Sequence, residues 1–208
     1  MKTFLQKPIL LIIFNRPETT KIIFESIKKA KPSRLFVAAD GPRGGKLNEP
    51  ELCLQTRKIT EDINWKCDVK RLYQDSNLGC KKGVISAINW FFENVEEGII
   101  LEDDCLPDQS FFMYCSELLE KYRNTKQIMM ISGDNYINLP IKYSYSFTKY
   151  PHIWGWATWR RAWKKYDSNL KDISDFHNFR QYFHSVTESL FWWVILYRVK
   201  RNKLDTWD

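Results

Sequence analysis

The sequence predicts an α/β fold with a mostly parallel central sheet flanked by helices. Short apolar runs alternate with helical patterns from residue 8 to residue 133, and this alternation is typical of parallel strands joined by crossover helices. Because the carboxyl ends of parallel strands form the ligand crevice of such a sheet, polar residues at these ends predict a binding site. The residues that directly follow the apolar runs are Arg16, Asp40, Asn77, Glu102 to Asp104, and Asp134.

Apolar periodicity places five strands and four helices in the first two thirds of the chain. The first strand is expected to be buried because it contains a continuous apolar run, and Pro17 closes it. Ile22, Ile23 and Ile27 then recur at helical spacing. The predicted strands are 8–14, 35–39, 69–73, 99–101 and 128–131, and the predicted helices are 18–30, 52–63, 80–93 and 108–122.

The pattern changes after about residue 140. Residues 143–147 alternate like a strand, and a tryptophan-rich segment follows. Two more helices are predicted, near 174–183 and 186–200. The chain stops at Asp208 without an obvious tail, which is compatible with truncation at this end.

Charge and cysteine content narrow the class of partner and compartment. The formal charge of +7 suits an anionic partner such as nucleotide phosphates or a membrane surface. A nucleic-acid partner is not expected, because the α/β part has no basic stripe interleaved with aromatic residues. Five cysteines without a CxxC pair indicate a reducing compartment, and no segment is long enough to cross a bilayer. We therefore expect a cytoplasmic protein.

Three consecutive carboxylates, Glu102 to Asp104, follow the fourth apolar run. In an extended chain Glu102 and Asp104 share a face while Asp103 points away. Two carboxylates about 6.5 Å apart repel by roughly 2–3 kcal/mol at an effective dielectric near 20. A divalent ion such as Mn²⁺ or Mg²⁺ would remove this repulsion, since it prefers oxygen ligands. The alternative is a solvated acidic turn before a helix capped by Asp108.

The order of the motifs resembles that of glycosyltransferases with the GT-A fold, in particular the N-acetylglucosaminyltransferase I type and related bacterial sugar transferases. The motifs are the acidic triplet, Ser132-Gly133-Asp134-Asn135 and Trp154-Gly155-Trp156. The resemblance implies one GT-A (Rossmann-like) domain over 1–208, with a nucleotide-binding half at 1–135 and a tryptophan-rich acceptor-side half at 136–208. It also implies inverting transfer of a sugar from a nucleotide-diphosphate donor to a glycan or lipid-linked acceptor in bacterial surface polysaccharide synthesis. The expected donor is a UDP-sugar.

The resemblance also implies how the nucleotide would be held. Asp104 would coordinate Mn²⁺ or Mg²⁺ directly, and Glu102 and Asp103 would act around the ion through water or the ribose hydroxyls. Arg16 and Asp40 match residues that hold the uracil base, whose carbonyl and imide groups suit a guanidinium and a carboxylate. The structural alternatives are a surface charge before a helix for Arg16 and a turn-forming role for Asp40.

Further residues match the diphosphate and sugar positions of the family. Lys81 opens the third helix, where the helix dipole favours anions, and would neutralise the diphosphate. The family type has a histidine close to this place, and Lys82 is the alternative lysine. Asp134 would shape the sugar pocket. Trp154 and Trp156 would contact substrate, because aromatic faces stack on sugar rings.

An inverting transfer needs a carboxylate that takes the proton of the acceptor hydroxyl. The family type has this aspartate in a Trp-Asp-rich motif C-terminal to the tryptophan loop. Thr206-Trp207-Asp208 matches it, so Asp208 is the predicted catalytic base. Asp205 and Asp134 are the alternatives.

Two other classes of function stay open from the sequence. A sugar-1-phosphate nucleotidyltransferase should carry a glycine-rich phosphate loop after the first strand, where this chain has Asn15-Arg16-Pro17-Glu18. A non-catalytic glycan- or membrane-binding module would use the segment 154–165, in which tryptophans alternate with basic residues. The same segment predicts peripheral contact of a transferase with the inner face of the membrane.

Overall fold

The computed structural model describes residues 5–134, 143–171, 173 and 175–207 of the chain. Within these ranges six strands form one sheet. The strands are β1 Ile9–Ile13, β2 Arg34–Ala39, β3 Asp68–Tyr73, β4 Glu97–Glu102, β5 Met130–Ser132 and β6 Trp156–Trp159. The helices are α1 Pro17–Ala30, α2 Glu49–Ile59, α3 Cys80–Asn94, α4 Gln109–Lys121, α5 Arg160–Trp163, α6 Phe176–Arg180 and α7 Val186–Lys200.

The strand order is β3-β2-β1-β4-β6-β5. Strands β1 to β4 are parallel, and β6 is antiparallel to both of its neighbours, β4 and β5. It follows that β5 runs in the same direction as β4. The predicted α/β class with a mostly parallel sheet is therefore confirmed, and the polar residues that follow β1 to β5 lie at one edge of the sheet.

Both faces of the sheet are buried, which explains why the first strands are almost continuously apolar. Leu10, Phe36 and Ile100 face one apolar cluster, which also contains the buried face of α3. Alternate residues of the same strands, such as Leu11 and Leu101, face a second cluster with α1 and α4. Helices therefore flank the sheet on both sides. Within the described ranges, no helix combines the length and apolar character needed to cross a bilayer.

The C-terminal part differs from the sequence prediction in two places. The tryptophan segment contains strand β6, which lies between β4 and β5. The predicted strand 143–147 is wrong, because the structure shows no ladder there. Tyr145 instead packs its ring against Tyr122, and their hydroxyls lie 2.6 Å apart. Ring contacts, and not backbone pairing, hold this segment.

Two helix boundaries also differ from prediction. Helix α2 covers 49–59 and not 52–63, since Pro50 is tolerated in a first helical turn and the Thr60 hydroxyl donates to the Arg57 carbonyl at the other end. Helix α6 covers only 176–180 of the predicted 174–183. It begins where Asp175 accepts from the backbone N–H groups of His177 and Asn178.

Candidate functional site

The candidate site lies where β1 and β4 are neighbours. Along the chain, β2 and β3 are added in turn on one side of β1, and the chain then returns to place β4 on the other side of β1. The crevice outside the carboxyl ends of two such strands is the usual ligand site of an open α/β sheet. Here it contains Arg16 after β1 and Asp103 and Asp104 after β4.

Arg16 bridges the two aspartates. Its Nη1 atom donates to Asp104 Oδ2 at 2.7 Å and to Asp103 Oδ1 at 3.3 Å. The hydrogen bond to Asp104 and the charge of Asp103 raise the pKa of Arg16. Since the Arg16 and Asp104 side chains are each 55% exposed, water screens the ion pair, which is worth about 0.2–1 kcal/mol. A ligand can therefore replace either partner at small cost.

Asp103 is the buried member of the acidic triplet. It is 6% exposed, and its Oδ2 accepts the backbone N–H of Phe14 at 3.1 Å. Burial raises the pKa of Asp103, although the Phe14 N–H and the Arg16 charge act in the opposite direction. The expected opposite orientation of Asp103 and Asp104 is wrong, because both contact Arg16. The chain turns after Glu102, where the Cys105 N–H donates to the Glu102 carbonyl, so strand alternation ends there.

Asp40 orders the loop after β3. Its carboxylate accepts the backbone N–H groups of Gly41 and Leu78 at 2.8 and 2.9 Å and the side-chain amide of Asn77 at 2.9 Å. These donors hold the loops after β2 and β3 together at the edge of the crevice. Asp40 therefore has the turn-forming role of the structural alternative, while its predicted contact with uracil stays a prediction.

Glu49 joins two loops of the crevice and was not singled out from the sequence. Its Oε1 accepts the side-chain amide of Asn15 at 2.9 Å, and its Oε2 accepts the backbone N–H of Arg43 at 2.6 Å. The hydrogen bond from the Arg43 side chain lowers the pKa of Glu49 to about 2. The available sequence signal was an acid beside Pro50 at a helix start, which is common on protein surfaces.

The first turn of α3 faces a carboxylate of the chain itself. The Lys81 backbone N–H donates to Asp205 Oδ1 at 3.4 Å, and the Lys81 Nζ donates to the Ser168 carbonyl at 3.0 Å. Asp205, the second candidate for the base, thus lies at the helix end that was predicted to receive the diphosphate. No contact places the Lys81 side chain beside Asp104 in the described part of the chain.

Asp134 and Trp154 line a cavity of 1170 Å³ beside the acidic loop. The Ser132 hydroxyl donates to Asp134 Oδ2 at 3.3 Å, which fixes the carboxylate at the end of β5. Trp154 is 63% exposed. Aromatic rings form much of the wall, and Cys105, Pro107 and Asp108 connect it to the acidic triplet. The cavity can hold a molecule of the size of a sugar.

Trp156 lies in the core and not in the cavity. It is 4% exposed and stacks on Trp207, with ring centroids 5.7 Å apart. Its predicted contact with substrate is corrected to a packing role, because strand β6 turns the ring toward the cluster on the α3 side of the sheet. Asp208, the predicted base, lies outside the described residues.

Several side chains of the segment 154–165 are engaged within the fold, while its predicted contact with a membrane stays a prediction. Trp159 is 2% exposed, and Arg160 pairs with Glu96. The Arg161 guanidinium donates to four backbone carbonyls beyond the end of α4, including those of Tyr122 and Ile128. These side chains stabilise the sheet and the adjoining loop, so they are not available to lipid headgroups.

The donor set at Asp103 and Asp104 fits a hard divalent ion in chemistry but is not a complete ligand set. Carboxylate oxygens are the ligands that Mg²⁺ and Mn²⁺ prefer. Among the residues that the structure describes, no group of three or more His, Cys, Asp or Glu side chains converges to hold an ion. An ion at Asp104 would therefore need phosphate or water oxygens as further ligands, and it would have to displace Arg16.

No protein-family model matches this chain, and no curated protein matches it in sequence. Among solved structures, the chain is similar to the crystal structure of 4-diphosphocytidyl-2C-methyl-D-erythritol synthase from Anaerococcus prevotii DSM 20548. The TM-score is 0.44 and the sequence identity is 10%, with 92% of this chain and 99% of that chain covered. A likeness at this level carries no argument about the activity of this chain.

Proposed function

We propose that this chain is a metal-dependent inverting glycosyltransferase of the hexosyl- or N-acetylhexosaminyl-transferase type. It moves a sugar from a nucleotide-diphosphate donor to a glycan or lipid-linked acceptor in bacterial surface polysaccharide synthesis. The preferred candidate for the donor is a UDP-sugar. The observation that carries the proposal is the meeting of Arg16, Asp103 and Asp104 between the carboxyl ends of β1 and β4. An open α/β sheet binds its ligand at this position.

In this proposal the donor exchanges the partners of the exposed ion pair. Asp104 holds Mn²⁺ or Mg²⁺, and the ion supplies positive charge for the departing diphosphate. Arg16, released from Asp104, meets a phosphate or a carbonyl oxygen of the base, both of which accept from a guanidinium. Asp103 keeps its contact with the Phe14 N–H and so holds the acidic turn against β1.

The cavity beside the acidic loop supports a place for the sugar and the acceptor. Asp134 is held at its wall by Ser132, and Trp154 offers an exposed ring. Asp208 stays the proposed base, with Asp205 and Asp134 as alternatives. Of these alternatives, Asp134 lies at the wall of the cavity, whereas Asp205 faces the first turn of α3.

The loop after β1 favours sugar transfer over nucleotidyl transfer. Helix α1 begins at Pro17, which has no N–H to offer, and the loop contains no glycine between Phe14 and Glu18. A loop that cradles the phosphates of a nucleoside triphosphate presents several backbone N–H groups at close range. Nucleotidyl transfer is therefore kept as an outcome of the test and is not proposed.

Titration calorimetry with UDP, with and without Mn²⁺, tests the proposal. We expect UDP to bind at least about ten-fold more tightly with Mn²⁺, which corresponds to about 1.4 kcal/mol, and Asp104→Asn to abolish this enhancement. Asp108→Asn is the matched control, because it removes a carboxylate from the same loop and keeps a residue that caps α4 well.

Three results would overturn the proposal. Equal UDP affinity with and without Mn²⁺ would exclude the metal role, and loss of the enhancement in Asp108→Asn would exclude a specific role for Asp104. Release of pyrophosphate from a nucleoside triphosphate and a sugar 1-phosphate, without release of UDP from UDP-sugars, would assign the chain to the nucleotidyltransferases.

A further inference from the structure

The outer face of α7 is apolar, and the described part of the chain does not cover it. Helix α7 is apolar on nearly all sides, a composition that normally belongs to a helix buried all round. Its inner side packs on α6, where the Trp193 ring lies 5.5 Å from that of Phe176. The exposed apolar residues and their exposed fractions are Val186 45%, Leu190 47%, Phe191 59%, Val194 52% and Tyr197 45%.

The exposed residues form one continuous stripe. Val186, Leu190, Val194 and Tyr197 follow one another at spacings of four, four and three residues, which places them in a row along the helix. Phe191 widens the row. The stripe is therefore a surface and not a set of scattered side chains, and a surface of this kind marks a contact with a partner or a membrane.

The charged residues at the C-terminal end of the stripe are positive. Arg198 and Arg201 stand at its C-terminal end, and the Arg201 guanidinium lies 5.3 Å from the Tyr197 ring centre. Glu188 is the one acidic residue in the sequence of α7, and it is turned to Lys149, with which it pairs at 2.9 Å. The exposed side of α7 thus combines apolar residues with arginines and has no carboxylate.

We propose that this face of α7 docks on the surface of an anionic lipid membrane. Apolar and aromatic side chains of an interfacial helix enter the acyl boundary, while arginines at its end meet the headgroup phosphates. A second copy of the chain would offer the same face, which has no carboxylate to pair with Arg198 and Arg201. Anionic lipids supply both the apolar phase and the negative charge.

Helix α7 separates the membrane face from the cavity, because residues on the opposite side of the helix contact the cavity wall. Trp192 of α7 stacks on Tyr150, with ring centroids 6.0 Å apart, and Lys149 pairs with Glu188 of the same helix. Lys149 and Tyr150 also line the cavity that contains Asp134. A lipid-linked acceptor held in the membrane would therefore reach the cavity past α7. This last step rests on the proposed function, whereas the docking itself does not.

Co-sedimentation of the whole chain with vesicles tests the docking. We expect the protein to bind vesicles that contain phosphatidylglycerol, and to bind phosphatidylcholine vesicles much less. The double variant Leu190→Ser, Val194→Ser should lower the bound fraction by about ten-fold, and the double variant Arg198→Ala, Arg201→Ala should remove the preference for phosphatidylglycerol. The matched control is Leu54→Ser, Met113→Ser, which changes two residues of α2 and α4 that are 61% and 66% exposed.

Each contrary result has a clear meaning. Binding that is unchanged in Leu190→Ser, Val194→Ser, or lost equally in the control, would overturn the proposal. A dimer in solution that dissociates in the same variant, with no vesicle binding by the wild type, would assign the face to a second copy. Circular dichroism melting shows whether each variant is folded. Since the assay contains no nucleotide and no Mn²⁺, its failure is distinct from failure of the proposed transfer reaction.

Discussion

At the scale of single residues, the candidate site is set by competition for two carboxylates. Burial raises the pKa of Asp103. The Phe14 N–H and the Arg16 guanidinium stabilise its ionised form. Asp104 is exposed and has Arg16 as its cation. In the proposed function, a divalent ion at Asp104 would have to displace Arg16, so the two cations should exclude each other.

Arg16→Ala should change the affinities for ion and nucleotide in opposite directions. Without the guanidinium, Mn²⁺ alone should bind about two- to five-fold more tightly, the equivalent of about 0.5–1 kcal/mol for an exposed ion pair. UDP in the presence of Mn²⁺ should bind more weakly, because Arg16 no longer meets the nucleotide. Titration calorimetry measures both affinities.

Lys21→Ala is the control for this experiment, because it removes one positive charge from an exposed position of α1. Its effect on Mn²⁺ affinity should be much smaller. If Mn²⁺ affinity in Arg16→Ala stays the same or falls, Arg16 does not compete with the ion.

At the scale of elements, close packing of loops fixes the edge of the crevice. The loops after β2 and β3 meet at Asp40, Asn77 and Leu78. Gly41 lies so close to the second loop that a Cβ atom there would be 2.5 Å from the Ser76 nitrogen and 2.7 Å from the Asp75 carbonyl carbon. These are backbone atoms, so they cannot move aside as a flexible side chain could. Glycine at this position is required by close approach.

Gly41→Ala should destabilise the fold and loosen the crevice. We expect the free energy of unfolding to fall by about 1–3 kcal/mol, the usual cost of overpacking, and UDP affinity to fall with it because the Asp40–Asn77 contact shifts. Urea denaturation and calorimetry give the two quantities. Gly44→Ala lies in the same loop with no atom within 4 Å of its new Cβ, and should stay within about 0.5 kcal/mol of the wild type. Equal stability of the two variants would show that the loops are not tightly packed.

At the scale of the whole molecule, the carboxyl edge and the amino edge of the sheet have different roles. The carboxyl edge carries the candidate site. At the amino end of β4, Glu97 is 8% exposed and accepts from Lys7 and Arg123, whose Nη2 lies 2.8 Å from Glu97 Oε1. The same two cations contact Glu120 at the end of α4. This cluster ties β4 to α4 and to the segment before β1.

Local sequence determined more of the sheet than of the site. Strands β1, β2 and β4 were predictable because burial on both faces makes most of their length apolar. Strand β6 was not, because it is defined by pairing with Ile100 and Ser132, which are far from Trp156 in sequence, while its tryptophans also suit a binding loop. The Arg16–Asp104 contact likewise joins residues 88 positions apart. Sequence spacing indicated that both lie at one edge of the sheet, but not that they pair.

Glu97→Gln should weaken the fold without weakening the site. Burial would raise the pKa of Glu97, but the hydrogen bonds from Arg123 and Lys7 outweigh it and lower the pKa below the ordinary value of 4.5. The ionised carboxylate therefore stabilises the fold above about pH 4.5, and this contribution is lost as the pH falls through the lowered pKa. At pH 7 we expect the variant to lose about 1.5–3 kcal/mol, since the charge-assisted hydrogen bonds to a buried carboxylate are weakened, and the difference from the wild type should shrink in acid.

Urea denaturation from pH 7 down through pH 4.5 measures how the free energy of unfolding of each variant changes. Glu120→Gln, which touches the same cations but is 63% exposed, should lose less than about 1 kcal/mol. UDP affinity should be unchanged in both variants, because Glu97 lies five residues from Glu102, about 17 Å along the strand. If Glu97→Gln weakened UDP binding at a pH where the chain is fully folded, the separation of the two edges would be wrong, and strand β4 would have to transmit changes from the amino edge to the acidic turn.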